Sequence, residues 1–332
     1  VDFELTSEQV ALAELVRAIV AGRFGLERLR RHEGTPNVVE PDDWAALGEA
    51  GVFSLTLPEA DGGVGLGLAD AAVVFTELGR GLVPGPLVAS HQAGALTGVA
   101  DLAGAADGTT VVGSIRRPGP GAGDPPLVMV EHLESLDALV VVDPAGLALV
   151  DPGALDADDA TRPLDPLTPM ARVRALPPGE PIADAEGAAT WVRDEQILTG
   201  ALCAGIAAAT CDLAVNYAKG RQQFGRPIGS FQAIKHLCAD MLVRAEVARA
   251  AVEAAAVTVD QPEVGDPLRA AAGGALLAAE AAVANAESCI QVHGGMGFTW
   301  EVPVHLYLMR ARVLASSLGP APQLAAEVAA RY

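Results

Sequence analysis

Apolar positions in the first eighty residues recur at helical spacing. Val10, Leu12, Leu15, Val16, Ile19 and Val20 fall on one stripe, and Thr6-Ser-Glu-Gln9 ahead of them has the form of a capping box, so a helix is expected to begin there. A second helix is expected from near Asp42-Asp43-Trp44 to Gly51. Loop punctuation follows in Leu57-Pro-Glu-Ala-Asp-Gly62-Gly63-Val-Gly65, and Leu68 to Leu78 resumes a helical pattern that stops at Gly79-Arg80. From about Val111 to Glu186 the texture changes. Short apolar runs (Leu127 to Val130, Ala138 to Val142, Leu147 to Val150) are split by turns such as Asp143-Pro144-Ala-Gly146 and Asp151-Pro-Gly153, which predicts short antiparallel strands. After Ala188 the chain returns to long Ala- and Leu-rich helices at roughly 188 to 220, 230 to 257, 266 to 294 and 302 to 317, enough for a four-helix bundle. The fold expected is mainly α with a small β domain.

With 332 residues and 51% hydrophobic content the chain can bury a sizeable core. A net charge of −20 argues against binding nucleic acid or an anionic membrane, because both reward clustered Lys and Arg. The longest uncharged stretch, Ile197 to Cys211, falls short of the ~20 apolar residues of a membrane span. The amino terminus has no basic-then-apolar signal pattern, so a cytoplasmic location is expected. Cys203, Cys211, Cys238 and Cys289 show neither CxxC pairing nor a His at metal-ligand spacing, and are expected as buried free thiols with no metal site. Pro118-Gly-Pro-Gly-Ala-Gly123 lacks a preceding strand and a following helix, so it reads as a loop rather than a dinucleotide fingerprint.

The densest chemical signal is Tyr217-Ala-Lys-Gly-Arg221-Gln-Gln-Phe224-Gly225-Arg-Pro-Ile228-Gly-Ser-Phe-Gln232, answered by Gln291-Val292-His-Gly294-Gly295-Met-Gly297-Phe298. A guanidinium at a helix end makes bidentate, charge-assisted contacts with phosphate, and glycines allow close backbone approach. Taken alone, Arg221 reads as a solvated helix-end cation and the glycines as a turn. As an ordered set, the two segments resemble the carboxy-terminal helical domain of the acyl-CoA dehydrogenases, FAD enzymes that desaturate the α,β bond of a CoA thioester. The Pro-Glu turn before Gly62 and the helical, β, helical order fit the same family. The resemblance implies an amino-terminal helical domain over 1–108, a middle β domain over 109–187 and a four-helix bundle over 188–332.

The resemblance further implies that Arg221 reaches the FAD pyrophosphate, supported by Phe224 and Gln232, with Gln291, Val292, Gly294 and Gly295 at the adenine end. Desaturation needs a carboxylate to take the α-proton. The position many relatives use, counted from Met309-Arg310, is Gly319 here. Other relatives place the base near the start of the first bundle helix, and the equivalent position is Glu195. On residues alone, beside the polar Arg193 and Asp194, Glu195 reads rather as a surface acid in a first helical turn. The family's Thr-Glu-Pro flavin loop and its Thr-Gly-x-Lys strand are not found between Val111 and Glu186, so the middle domain is truncated. What remains resembles the short subunits of heterotetrameric acyl-CoA dehydrogenases acting on steroid side chains, in which two family members make one site. That implies an acyl-CoA substrate, a second acyl-CoA dehydrogenase-family subunit that carries the base if Glu195 does not, and an electron-transfer flavoprotein-type acceptor. A homo-oligomeric dehydrogenase and a non-catalytic subunit stay open as alternatives.

Overall fold

The structure is a computed structural model that describes residues 5–31, 35, 38–117, 128–159 and 162–331. In chain order the helices are α1 (Ser7–Arg23), α2 (Leu26–Arg30), α3 (Pro41–Glu49), α4 (Leu68–Arg80) and α5 (Leu87–Gly94). Among the described residues the strands that follow are β1 (Val112–Arg116), β2 (Val128–Glu131), β3 (Ala138–Asp143), β4 (Gly146–Val150), β5 (Ala157–Asp159), β6 (Met170–Val173) and β7 (Glu180–Asp184). The carboxy-terminal part is α6 (Ala185–Gly220), a hairpin of β8 (Gln222–Gln223) and β9 (Arg226–Pro227), α7 (Gln232–Asp260), α8 (Pro267–His293), α9 (Val304–Ser317) and α10 (Ala321–Ala329). The mainly helical fold with a small β region is as expected. Pro118 to Gly123, read as a loop, lies outside the described residues.

Contacts divide the chain into two compact units. The first comprises Val1–Leu26, Leu68–Val83 and Gln196–Tyr332. At the start of α1 the Thr6 hydroxyl accepts from the Gln9 amide while the Gln9 side chain takes the Thr6 N–H, the expected capping box. The helices α4 and α6 meet backbone to backbone. A Cβ added to Gly79 would lie 2.1 Å from the Leu202 carbonyl oxygen, and one on Gly205 would lie 2.0 Å from that of Thr76. Around this crossing, Arg17 grips the buried Glu77 through Nε and Nη2 at 2.9 and 2.7 Å, and Arg80 reaches Asp212 at 2.7 Å. Three bundle helices are bolted together by Asn285 of α8, which donates to the carbonyls of Ala207 in α6 (3.0 Å) and Met241 in α7 (2.8 Å). Its own oxygen accepts from Arg244 Nε at 2.8 Å. A buried amide with all these bonds made adds specificity where an unsatisfied one would destabilise.

The second unit comprises Glu27–Gly67 and Pro84–Glu195. Its strands form a four-stranded sheet in the order β1-β3-β4-β7 and a three-stranded sheet in the order β2-β6-β5. The apolar run at Ala138 to Val142 is explained by β3 being covered on both faces. Ala138, Val140 and Val142 pack towards α5 and Trp191, while Leu139 and Val141 pack with β2 and β6 residues. The antiparallel expectation holds for β3–β4 and β4–β7 but fails for β1–β3, which pair in parallel. The cause is topological: β2 belongs to the other sheet, so the chain re-enters beside β1 running in the same direction. In α5, His91 is buried, with Nδ1–H donating to the Val52 carbonyl at 2.9 Å and Nε2 facing Thr56 Oγ1 at 3.3 Å. Its neighbour Ser90 bonds both backbone groups of Val112, fixing α5 to β1.

Cys203, Cys211 and Cys289 are buried, Cys238 is half-buried, and none is disulfide-bonded. By length and composition α6 could cross a membrane, but 83% of its apolar window is buried inside the fold.

Candidate functional site: the ends of the first and third bundle helices

The helix α6 stops at Gly220 because Arg221 turns into a two-residue hairpin. The Arg221 N–H still bonds the Tyr217 carbonyl at 2.8 Å, and Ile228 returns its N–H to the Arg221 carbonyl at 2.8 Å. Between them Gln222 pairs with Pro227 and Gln223 with Arg226, so Phe224 and Gly225 form the turn, with φ of +51° and +75°. A primed turn of this kind favours Asn-Gly or Gly-Gly. A bulky side chain in the left-handed region costs roughly 1–2 kcal/mol, and such strain gathers at functional positions. Here it holds the Phe224 ring outward, 91% exposed. The Phe231 ring braces the hairpin, with Phe224 edge-on at 6.1 Å and the Arg226 guanidinium carbon 4.1 Å from its centroid.

The Arg221 side chain is exposed and makes no hydrogen bond or ion pair among the described residues. Gln232 opens α7 and is also exposed.

The third bundle helix, α8, ends at His293, and Gly294 leaves it at φ +60° and ψ −139°. A Cβ on Gly294 or Gly295 would meet nothing within 4 Å, so the turn presents bare backbone. Gln291 is exposed, whereas Val292 is buried at 4% and its side chain packs with Cys211, Met241 and Cys289. Val292 therefore has only its backbone to offer a ligand. The two segments are joined by Tyr217 and His293, whose rings stack at 4.1 Å and 26°. His293 donates from Nδ1 to the Cys289 carbonyl at 2.8 Å, and its burial holds it below the ordinary imidazole range. An unpaired guanidinium, two exposed glutamines, an outward aromatic ring and a stretch of bare glycine backbone fit an anionic, aromatic dinucleotide such as FAD.

Glu195 lies elsewhere in character. The helix α6 begins at Ala185, ten residues before Glu195, and the acid in its first turn is Glu186. The Glu195 side chain is 16% exposed, and Arg116 at the end of β1 donates both Nε (3.2 Å) and Nη2 (2.8 Å) to its Oε2. Gly319 sits at φ +93° after α9, on a cavity of about 640 Å³ whose wall includes Leu276, Val283, Leu324 and the Glu287–Arg312 ion pair.

Two family patterns match the chain: acyl-CoA dehydrogenase, N-terminal domain, over residues 6–106, and acyl-CoA dehydrogenase, C-terminal domain, over residues 188–332. Acyl-CoA dehydrogenase IpdE2 of Mycolicibacterium smegmatis is 34% identical across 95% of this chain and 96% of its own. Acyl-CoA dehydrogenase FadE34 of Mycobacterium tuberculosis is 36% identical across 95% of this chain, which spans only 46% of that protein. Among solved structures, the ChsE4-ChsE5 complex from Mycobacterium tuberculosis contains a chain that superposes with a TM-score of 0.86 at 24% identity, covering 99% of this chain and 98% of that one. A chain of the Tcur3481-Tcur3483 steroid ACAD does so with a TM-score of 0.83 at 24% identity, covering 97% of each.

The chain belongs to the acyl-CoA dehydrogenase family.

Sequence reasoning did not single out Tyr217, His293, Phe231 or Arg226 as parts of the site. Their aromatic and cationic character beside the motif was the available signal. Arg116 carried none, because its partner lies 79 residues away.

Proposed function

We propose that this chain is one subunit of an acyl-CoA dehydrogenase heterotetramer that desaturates an acyl-CoA thioester, with FAD held jointly by this chain and a second family member. The observation that carries the reading is a contrast. The hairpin and glycine turn assigned to phosphate and adenine are intact and open, while the strand β1, inside the stretch that lacks the family's flavin loop, ends in Arg116 locked onto Glu195. The chain's three-domain division at 108 and 187 is kept in this reading. Support for a partner comes from the names ChsE4-ChsE5 and Tcur3481-Tcur3483, each a pair of chains, and from FadE34 being about twice as long as this chain. The word steroid in the second name makes a steroid side-chain CoA ester the first substrate to test. An electron-transfer flavoprotein-type acceptor and a cytoplasmic location complete the proposal.

In this assignment Arg221 pairs with the FAD pyrophosphate, Phe224 and Gln232 flank it, and Gln291, Gly294, Gly295 and the Val292 backbone line the adenine end. Bound FAD supplies the acceptor for the hydride leaving the β-carbon while a carboxylate takes the α-proton. Arg221→Ala is expected to weaken FAD binding by some tens-fold, about 2 kcal/mol for a partly desolvated charge-assisted pair, with the fold retained. Equilibrium titration of the assembled apoprotein with FAD measures it, and an unchanged affinity would remove Arg221 from the site.

Glu195 would have to give up Arg116 before acting as a base, so the base of the shared site is assigned to the partner chain. Glu195→Gln should then leave turnover within a few-fold while lowering stability by about 1–3 kcal/mol, because Arg116 loses its counter-charge. Collapse of turnover with FAD still bound would return the base to Glu195.

A further inference from the structure

The two halves of the FAD clamp come from chain segments about seventy residues apart, and their outer faces touch little of the protein: Phe224 is 91% exposed and the Gly294 and Gly295 faces are open. What fixes one half against the other is a ring pair between them, the buried His293 and the half-buried Tyr217. Tyr217 lies one turn before Arg221 and holds its N–H, while His293 immediately precedes Gly294. Their rings stack at 4.1 Å, and the His293 ring is itself aimed by its Nδ1 bond to the Cys289 carbonyl at 2.8 Å.

We propose that the Tyr217–His293 ring pair is a positioning joint that sets the Arg221 hairpin and the Gly294–Gly295 turn at the separation FAD requires. The inference rests on the FAD assignment made above. Neither ring is assigned a contact with the cofactor. Each acts through the backbone it carries, Tyr217 through the carbonyl that receives the Arg221 N–H and His293 through the residue that leads into the glycine turn. A clamp built from two segments binds tightly only if their separation is paid for before the ligand arrives, and a flat ring pair fixes distance and tilt together.

The test is FAD titration of the assembled complex, freed of flavin, with melting temperatures recorded for every variant. Tyr217→Leu fills similar volume without a flat face, and His293→Leu does the same from the other side. Each is expected to weaken FAD about tenfold, the upper range for an aromatic pair. The double variant is expected to be little worse than either single one, because both remove the same contact. Tyr217→Phe keeps both the stack and the bond that aims the His293 ring, and should retain wild-type affinity. Asn285→Ala, which loosens the bundle away from the clamp, should lower the melting temperature and leave FAD affinity unchanged. Wild-type affinity in the leucine variants, a loss in Tyr217→Phe equal to that in Tyr217→Leu, or an equal loss in Asn285→Ala would each overturn the joint. A wild-type complex that takes up no FAD would overturn the cofactor assignment itself, and the joint with it.

Discussion

Gly205→Val is expected to unfold the helical unit or destabilise it by about 4 kcal/mol or more, the range of severe overpacking at a site that cannot relax. Even the first carbon of a side chain there would lie 2.0 Å from the Thr76 carbonyl oxygen and 2.8 Å from the Arg80 amide nitrogen. Relief would require α4 and α6 to separate, which Gly79 against Leu202, Glu77 between Arg17 and Arg80, and the Arg80–Asp212 pair all oppose. Gly273→Ala is the informative contrast. Its Cβ would make an ordinary 3.8 Å contact with Val328 in the interior of α8. A gain of up to about 1 kcal/mol is expected there from helix propensity and a less flexible unfolded chain. Urea denaturation of the two variants measures both, and a Gly205→Val protein as stable as wild type would show that the helices do not cross as closely as described.

Acidification should act through His91. Burial pushes this imidazole down to about 4 in the folded protein, against an ordinary value near 6.5, despite the opposing effect of its bond to the Val52 carbonyl. The folded form therefore holds the ring neutral where the unfolded chain would protonate it. Its contribution is complete above pH ~6.5 and is lost as pH falls towards 4, so stability should drop by about 3 kcal/mol over that window from this residue alone. Denaturation curves at pH 7 and pH 4.5 for the wild type and His91→Gln separate this from the general loss of carboxylate pairs. The slope of stability with pH should be shallower in the variant, and equal slopes would mean that His91 is not buried as a neutral ring.

The parts of this fold that were legible in the sequence are those specified locally. The Thr6–Gln9 box, the Leu68–Arg80 helix and the long helices after Ala185 follow from capping residues and periodicity within a window of a few turns. The short helix α10 lies beyond the last helix that periodicity predicts, which ends near residue 317, and only Leu324 of α10 is buried. The parallel β1–β3 pair depends on where the intervening chain goes, which no local pattern records.

The site divides in the same way. Arg221, Gln232, Gln291 and the glycines lie in two recognisable motifs, and the structure brings those motifs together at the ends of α6 and α8. Val292 falls within its motif, yet its side chain turns into the core. The status of Glu195 was illegible because it rests on Arg116, a residue with no local signal, and on a helix that starts earlier than expected.

The central claim, that this chain shares one FAD with a different subunit, is tested most directly by counting flavin against protein. The chain expressed with its partner and purified as a complex should be a two-plus-two tetramer with one FAD for each pair of unlike chains, and expressed alone it should be colourless. Flavin absorbance against chain mass gives the count. Two FAD per tetramer is the expected result, whereas four FAD per tetramer, or a stable yellow homotetramer of this chain alone, would contradict it.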